Sequence, residues 1–199
     1  MATPDVTVAV PEYDAGARLA LVLDAVRAQR TARTVEMLVC DSGSRDGSVA
    51  LAGARGARLL TIAWHEFSHG ATRNLLASEA RGAHVVFLTQ DAVPATVGWL
   101  DALLDAFASA PDVGLAFGPY LAHRGATPMT ARELETFFAS FGGERIDRLD
   151  ESVRALPPAI CLARSASSPT PMAAWRRRRG ARSRFATSPT PRTTWSRST

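Results

Sequence analysis

Short apolar runs alternate with longer amphipathic stretches from the start of the chain to Phe117. The runs are mostly apolar, and the first, residues 6–10, is typical of a strand buried on both faces of a sheet. The stretches between the runs repeat apolar residues at helical spacing, as Leu19, Leu23 and Val26 do. This alternation predicts an α/β fold with a doubly wound, mainly parallel sheet flanked by helices.

The pattern places strands over residues 6–10, 35–40, 58–62, 84–88 and 113–117. Gly82 is expected to stop the helix that precedes the fourth strand. The last helix carries an aromatic stripe formed by Phe137, Phe138 and Phe141. We expect this stripe to pack in the core rather than to bind an acceptor substrate. The helices are expected over residues 17–30, 71–81, 97–108 and 130–141, with a short one after the turn at 41–48.

Residues 84–94 read HVVFLTQDAVP, a strand-like run that ends in Gln90 and Asp91. Open α/β sheets bind ligands at the carboxyl ends of their strands. Asp91 is therefore suited to hold a divalent cation that bridges two phosphates, because Mg²⁺ needs only one or two carboxylates from the protein. The alternative is that Asp91 caps the helix that follows.

Two further positions have both a binding and a structural interpretation. Asp41 follows the second strand, where an acid would accept hydrogen bonds from a ribose hydroxyl or a base N–H, or would close an Asx turn. Arg73 and Asn74 open the helix after the third strand, where an arginine suits a diphosphate. The alternative for Arg73 is a solvated surface position.

The segment HEFSH at residues 65–69 matches the H-E-x-x-H zinc motif. That motif needs both histidines on one face of a helix. Here a strand-like run precedes it, and Gly70 interrupts the helix that the motif requires. A zinc hydrolase acting through His65, Glu66 and His69 is therefore an alternative that the flanking sequence disfavours.

Three segments, VTVAVPEYDAG, VCDSGSRDGS and FSHGATRNLLASEARGAHVVFLTQDAVP, together resemble the family 2 glycosyltransferases, and most of all their rhamnosyltransferase-like branch. The resemblance covers residues 6–141. It implies a Rossmann-like GT-A fold and inverting transfer of a rhamnose-like sugar from a dTDP- or UDP-sugar to a saccharide or lipid-linked acceptor. It also implies cell-surface polysaccharide synthesis by a cytoplasmic protein that associates peripherally with the inner face of the membrane.

The resemblance also implies roles for single residues. Asp91 matches the metal-binding acid of the D-x-D motif, with Mg²⁺ or Mn²⁺ as cofactor. Thr89 stands where most of the family has a second acid, a form that occurs in the rhamnosyltransferase-like branch. The donor-binding positions are the base-flanking loop Pro11, Glu12 and Tyr13, the base-binding Asp41, Asp46 in the same turn, and Arg73 and Asn74 near the diphosphate.

The composition excludes several other classes of protein. No apolar run is long enough to span a bilayer, and the first residues lack the basic region of a signal peptide. Two cysteines, Cys40 and Cys161, do not indicate a disulfide framework, so a reducing compartment is expected.

The chain changes character after residue 158. Its net charge is +4, but residues 164–199 hold nine arginines and no acid, which leaves −5 for the rest. We therefore expect an incomplete nucleotide-sugar-binding domain over residues 1–158, truncated on its acceptor side, and a disordered basic tail over 159–199. The alternative to a tail without function is a basic tether that binds nucleic acid or an anionic membrane. Of these two partners, nucleic acid is not expected.

The catalytic base of the family, an acid in a later E-D motif that deprotonates the acceptor hydroxyl, has no counterpart after Glu151. GC-rich back-translation read one nucleotide out of frame permits GVVSDANGCV from Ser165 and DVAYAEDH from Ala186 onward. These resemble the acceptor-side and E-D motifs of the family, in their usual order. We infer a change of reading frame around residues 157–164, with a catalytically inactive nucleotide-binding remnant as the alternative function.

Resequencing the gene across residues 157–164 tests this inference. We expect one inserted or deleted nucleotide relative to a frame that restores both motifs. An uninterrupted frame, together with relatives that share the arginine-rich tail, would show that the tail is native.

Overall fold

The computed structural model describes residues 3–108, 113–123, 125–139, 148–149, 161–163 and 184–187. Five helices lie between or after the strands: α1 (Ala17–Arg27), α2 (Ser48–Ala54), α3 (His69–Glu79), α4 (Trp99–Ala108) and α5 (Pro128–Ala139). The strands are β1 (Val6–Glu12), β2 (Val35–Asp41), β3 (Arg58–Thr61), β4 (His84–Phe87), β5 (Val113–Phe117), β6 (Arg148–Leu149), β7 (Cys161–Ala163) and β8 (Arg184–Thr187).

All eight strands form one sheet in the order β3-β2-β1-β4-β7-β5-β8-β6. The first four strands in this order are parallel, because each is joined to the next along the chain through a helix. β7 lies antiparallel between β4 and β5, and β8 runs parallel to β5. The prediction of a doubly wound, mainly parallel sheet is confirmed.

Both faces of β1 are buried, as its continuous apolar sequence predicts. Val6, Val8 and Val10 face one layer, which contains α1 and α4, and Ala9 faces the other, which contains α3. The side chains that complete the first core include Leu19, Leu23, Leu100 and Leu104, and those of the second include Leu38, Leu76, Val85 and Phe87.

β1 is longer than predicted and includes Pro11 and Glu12, which pair with Cys40 and Asp41 of β2. A proline in a central strand removes one ladder hydrogen bond. On the other side of β1 the register with β4 ends at Ala9, so Pro11 lies beyond the end of that ladder. The loop predicted from Pro11 therefore starts at Tyr13.

Helix boundaries also differ from the predictions. α3 starts at His69 because the Ser68 hydroxyl accepts a hydrogen bond from the Ala71 N–H at 3.1 Å, so Gly70 lies inside the helix instead of interrupting it. α4 starts at Trp99, and Asp91 is therefore too far away to cap it. The prediction that Asp91 caps this helix is wrong.

The aromatic stripe of α5 is not part of the described core. No side chain of α5 is buried, and Phe137 is 48 % exposed. Phe138 is half-buried and packs against Tyr120 with ring centroids 5.6 Å apart. Phe141 lies outside the described residues. The prediction of a core stripe is therefore wrong for Phe137, because its side chain is exposed and no described side chain of α5 is buried.

Two of the strands, β7 and β8, lie within the segment that we expected to be a disordered tail. Their backbones pair with β4 and β5. The rest of that segment lies outside the described residues, so the boundary at residue 158 stays a prediction. Within the described part of the chain, none of the helices has the length and apolar character needed to cross a bilayer.

Gly82 does not end the preceding helix, as we expected. A glycine is needed there because the residue packs directly against the backbone of β1. α3 ends at Glu79, and Gly82 instead lies against β1, where its N–H donates to the Thr7 hydroxyl at 2.9 Å. A Cβ atom at this position would lie 2.5 Å from the Thr7 nitrogen and 2.6 Å from the Val6 carbonyl carbon. Both are backbone atoms in the centre of the sheet and have no room to move.

We expect Gly82→Ala to lower the free energy of unfolding by about 2–3 kcal/mol, the range typical of an overpacked core. The matched control is Gly53→Ala in α2, where the nearest atom to the new methyl group is Leu59 Cδ1 at 3.7 Å. Alanine there should raise stability by about 0.5–1 kcal/mol through helix propensity. Urea unfolding of both variants measures the difference, and equal stabilities would contradict the packing argument.

Candidate functional site

The parallel strands bring four chain segments to one edge of the sheet. The chain runs from β1 outward to β2 and β3, and then returns to place β4 on the other side of β1. The connections therefore diverge between β1 and β4, and the carboxyl ends of these two strands flank a crevice. This is the position at which open α/β sheets bind ligands.

A reciprocal pair of hydrogen bonds joins the loops on the two sides of this crevice. The Tyr13 N–H donates to Gln90 Oε1 at 2.8 Å, and the Gln90 amide nitrogen donates to the Tyr13 carbonyl at 3.1 Å. Tyr13 and Asp91, predicted from separate motifs, are thereby held at the same edge, because Asp91 follows Gln90 directly.

The loops after β1 and β2 are also joined. The Asp14 N–H donates to the Ser44 hydroxyl at 2.9 Å, and the Arg45 N–H donates to the Asp14 carboxylate at 2.7 Å. Asp14 has a φ of 43°, in the left-handed region that aspartate tolerates better than most residues. The two loops therefore form a continuous rim above β1 and β2.

Asp46 supports this rim from its far end. Its carboxylate accepts hydrogen bonds from the Ser48 N–H at 3.0 Å and the Ser48 hydroxyl at 2.6 Å. The Ser48 hydroxyl in turn accepts from the Gly16 N–H at 2.8 Å. The bonds from Ser48 lower the pKa of Asp46, so the side chain is a stable carboxylate. In this structure Asp46 holds the start of α2 next to the start of α1.

Asp41 closes the turn after β2, as its structural interpretation predicts. Its carboxylate accepts from the Gly43 N–H at 3.0 Å and from the Ser44 N–H at 3.1 Å, and the residue is only 2 % exposed. Burial opposes its ionisation, but the bonds from Glu12, Ser44 and Gly43 outweigh burial and lower its pKa. Its role as a base-binding acid stays a prediction.

Glu12 lies next to Asp41 in the register of β1 and β2, and it is also 2 % exposed. Its Oε1 accepts from the Ser44 hydroxyl at 2.9 Å, while its buried Oε2 has no donor among the described residues. Burial, followed by the hydrogen bond and the negative charge of Asp41, raises the pKa of Glu12 to about 7. A protonated Oε2 resolves the missing donor, because it would itself donate to Asp41.

Asp91 is exposed in a turn in which the Ala92 N–H donates to the Thr89 carbonyl at 3.1 Å. Its charge acts on Tyr120, whose hydroxyl is buried without a hydrogen-bond partner among the described residues. Burial, followed by the negative charge of Asp91, raises the pKa of Tyr120 to about 12, and Arg73 opposes the shift. Asp91, Arg73 and Tyr120 therefore lie near one another, although they belong to three distant parts of the sequence.

Arg73 and Asn74 lie at a different position in their helix from the one predicted. α3 begins at His69, so the pair lies one turn inside the helix instead of opening it. Arg73 is half-buried, and its guanidinium donates to the His69 carbonyl at 3.3 Å. Both interpretations of Arg73, a diphosphate partner and a solvated surface arginine, therefore stay predictions. Asn74 is exposed.

Sequence reasoning missed an aromatic wall beside this edge, formed by Tyr13, Trp64 and Phe67. The rings of Tyr13 and Trp64 have centroids 4.4 Å apart, and Trp64 stacks on Phe67 at 6.4 Å with an interplanar angle of 7°. Trp64 is 61 % exposed, so much of its surface is open to solvent. The three residues have no regular spacing in the sequence, and only the fold brings them together. Tyr120 was missed for the same reason.

The zinc motif does not form. His65 lies in a 3-10 turn, Trp64–Glu66, whereas His69 is the first residue of α3. The Glu66 carboxylate accepts from the Ala63 N–H at 2.8 Å, which closes the turn. Across the parts of the chain that the structure describes, no three histidine, cysteine or acidic side chains are grouped closely enough to hold a metal. The histidines do not share a helical face, so the zinc-hydrolase interpretation loses its geometric basis.

A divalent cation at Asp91 would have fewer than three histidine, cysteine or acidic ligands from the described residues. The donor set fits Mg²⁺ or Mn²⁺ held mainly by the oxygens of a bound diphosphate, because such ions take one or two carboxylates and keep their other positions for phosphate and water. It does not fit a cation held by the protein alone.

Curated relatives carry the same sequence pattern. The chain is 36 % identical over 126 residues to the O-antigen chain rhamnosyltransferase RfbN of Salmonella typhimurium, and the match covers 62 % of this chain and 40 % of the relative. It is 35 % identical over 128 residues to the O-antigen chain rhamnosyltransferase WbaN of Salmonella anatum, covering 63 % and 40 %. The matches thus span about two fifths of each relative.

Solved structures show the same fold at low identity. The crystal structure of S. aureus TarS 1-349 matches with a TM-score of 0.60 at 16 % identity, covering 80 % of this chain and 47 % of that one. Glucosyl-3-phosphoglycerate synthase from Mycobacterium tuberculosis, in complex with Mn²⁺, UDP and glucosyl-3-phosphoglycerate, matches with a TM-score of 0.52 at 20 % identity, covering 80 % and 57 %. The predicted GT-A fold is confirmed.

The family model described as Glycosyl transferase family 2 matches residues 7–168, well over half of the chain. This agrees with the resemblance in the motifs around β1, β2 and β4, and with the rhamnosyltransferases among the relatives. The chain belongs to glycosyl transferase family 2.

Proposed function

We propose that this chain supplies the donor-binding part of an inverting glycosyltransferase that moves a rhamnose-like sugar from a dTDP- or UDP-sugar to a hydroxyl. The acceptor would be a saccharide or a lipid-linked saccharide in cell-surface polysaccharide synthesis, at the cytoplasmic face of the membrane. The observation that supports the proposal is the crevice between β1 and β4 of a family 2 chain, where hydrogen bonds between Tyr13 and Gln90 join the two flanking loops and Asp91 follows Gln90.

The base of the nucleotide would lie over the rim formed by the loops after β1 and β2. Tyr13 and Trp64 offer exposed aromatic surface beside this rim, and aromatic rings stack on bases of any sequence. Pro11 and Glu12 end the strand below it, and Asp41 lies next to Glu12. These contacts support a base site without deciding between uracil and thymine, which share the same imide edge.

The diphosphate would lie between Asp91 and Arg73. Both act electrostatically on the same hydroxyl, that of Tyr120, which supports a site between them. A divalent cation held by Asp91 would neutralise the charge that develops on the leaving diphosphate. Arg73 would supply a second positive charge from α3, and Asn74 an exposed amide beside it. The metal and UDP in the M. tuberculosis synthase support this arrangement by analogy.

Transfer also requires a base for the acceptor hydroxyl. The described acids at the site are each committed elsewhere: Asp41 and Asp46 accept bonds from their own loops, and Glu12 is buried. We therefore assign no catalytic residue in this chain and expect transfer to be impaired. The relatives are rhamnosyltransferases, which favours a transferase over a nucleotide-binding remnant as the function of the unaltered gene.

Calorimetric titration of the full chain with UDP and with dTDP, each with and without Mn²⁺, tests the donor site. We expect binding that strengthens with the metal, and Asp91→Ala should abolish the metal-dependent part because it removes the carboxylate that would hold the cation. Metal-dependent binding that survives in Asp91→Ala would remove Asp91 from the mechanism. No binding of either nucleotide by the folded chain would refute the donor site.

A matched control for this experiment is Asp105→Asn. Asp105 is an exposed acid of α4 that pairs with Arg33 at 3.4 Å, on the layer of the sheet that holds α1. Its substitution changes the net charge as Asp91→Ala does, without touching the crevice. We expect nucleotide and metal affinities in this variant to equal those of the original chain.

A second test restores the shifted reading frame after residue 157 in the gene. We expect the restored protein to release dTDP from dTDP-rhamnose when a lipid-linked saccharide extract of the source cells is added, and the present chain to do so poorly or not at all. Asp91→Ala in the restored protein is the control for enzymatic release. Equal activities of the two chains would contradict the loss of a catalytic base.

A further inference from the structure

We propose that Glu12 and Asp41 share one proton, and that this proton couples binding of the donor's base to pH. In this proposal the pocket accepts the imide edge of uracil or thymine while Glu12 is protonated, and releases it when Glu12 ionises. The inference rests on the proposed function, because the base belongs to the sugar donor. It assigns Glu12 as a positioning residue that acts through Asp41.

The two carboxyl groups are fixed side by side by the sheet. They form the last register pair of β1 and β2. The backbone continues to hold them beyond the strands, because the Ser42 N–H and hydroxyl both donate to the Glu12 carbonyl, at 3.1 Å and 3.0 Å. Two negative charges at these positions have no route to separate, and like charges held together at a buried site favour keeping one proton.

The arrangement of hydrogen-bond donors around the two carboxyl groups favours keeping one proton on the pair. Asp41 receives backbone N–H groups from Gly43 and Ser44, whereas Glu12 receives the Ser44 hydroxyl, which itself accepts from the Asp14 N–H. The Ala15 N–H also acts on the Glu12 carboxyl and lowers its pKa, but burial and Asp41 outweigh it. Glu12 Oε2 is buried and has no donor among the described residues. If both groups were ionised, this oxygen would be a buried acceptor without a partner, which is unfavourable. If Glu12 is protonated, its carboxyl becomes a donor, and Asp41 is the neighbouring carboxylate that can accept from it.

The charged group that faces Glu12 is Asp41 of β2, and no arginine or histidine is among the causes that shift the Glu12 pKa. The sign follows from this. Because the pKa of Glu12 is raised in the folded chain from 4.5 to about 7, the protonated pair is present at lower pH and is lost as the pH rises through about 7. Folding stability that depends on the pair falls in the same direction.

The shared proton affects a base in two ways. A singly charged pair suits the imide N–H of uracil or thymine, which needs an acceptor. A second negative charge would lie close to the two carbonyl oxygens that flank that N–H, and ionisation would also remove the hydrogen bond that joins the ends of β1 and β2. Both effects weaken binding, so the affinity should follow the fraction of Glu12 that is protonated.

Uridine and thymidine are the probes for this proposal, because nucleosides carry no phosphate that ionises in the same range and need no metal. We expect the Kd of the full chain, measured by NMR chemical-shift titration, to rise about 30-fold between about pH 5.5 and about pH 8.5, if only the protonated form binds. In parallel, ¹³C-carboxyl NMR of glutamate-labelled protein should show one resonance that titrates near pH 7.

Two variants separate the proton from other effects of pH. Glu12→Gln keeps a donor toward Asp41 but cannot ionise, so it should remove the shifted resonance and bind both nucleosides with an affinity that does not change with pH. Glu66→Gln is the matched control, since Glu66 is an exposed acid near the same edge whose acceptor role toward Ala63 glutamine can retain. It should keep the pH dependence of the original chain.

The outcomes distinguish this inference from the proposed function. Nucleoside binding that does not vary with pH, or a Glu12 resonance that titrates at the ordinary glutamate value, overturns the shared proton and leaves the donor site intact. A shifted resonance with no binding of either nucleoside at any pH overturns the coupling of the proton to base binding, and the titration with UDP and dTDP then decides the donor site separately. Because the ¹³C titration is made on the original chain, the inference stays testable even if Glu12→Gln does not fold.

Discussion

The burial of β1 on both faces is the constraint on which the rest of the structure depends. A strand enclosed by two apolar layers must satisfy all its backbone groups within the sheet, because no water reaches it. β1 does so by pairing with β2 on one side and β4 on the other. The helices that cover the two faces must then connect these strands in opposite directions, and the crevice between β1 and β4 is a direct result.

Much of this architecture was predictable from the sequence, because it depends on periodicity. Continuous apolar runs predict buried strands, and β5 has the same bounds in the sequence pattern and in the structure. Errors arose where one local contact decides an outcome. The capping bond to the Ser68 hydroxyl moves the start of α3, and the close approach of β1 explains Gly82 better than a helix end does.

The site was predictable residue by residue but not as an arrangement. Motifs singled out Glu12, Asp41 and Asp91, yet no sequence pattern shows that the first two are a buried pair or that the third lies near Tyr120. Such relations depend on strand register and on contacts across the sheet, which arise between residues far apart in the chain. Aromatic neighbours such as Tyr13 and Trp64 belong to the same class.

A comparison of two acids on neighbouring strands shows how the fold assigns different chemistry to one residue type. Glu36 of β2 is partly buried, but the Thr7 hydroxyl donates to it at 2.6 Å and Arg58 at 2.9 Å. Burial opposes its ionisation, these bonds outweigh burial, and its pKa is lowered. Burial raises the pKa of Glu12, and the neighbouring Asp41 adds to the shift, with no cation of the described residues among the causes to oppose it. One carboxyl binds its neighbours across the sheet as an anion, and the other favours its protonated form to a higher pH.

The bonds between Tyr13 and Gln90 have a mechanical consequence for the crevice. The carboxamide of Gln90 presents the same donor and acceptor as a peptide group, so it extends the pairing of β1 after the β4 ladder has ended. This last rung is a side chain and not a strand. Opening it breaks two solvent-exposed hydrogen bonds and separates no backbone pair, at a net cost of about 1–3 kcal/mol. The loop can therefore swing away from the sheet while the strands beneath it stay paired, which makes entry to the crevice a local motion independent of global unfolding.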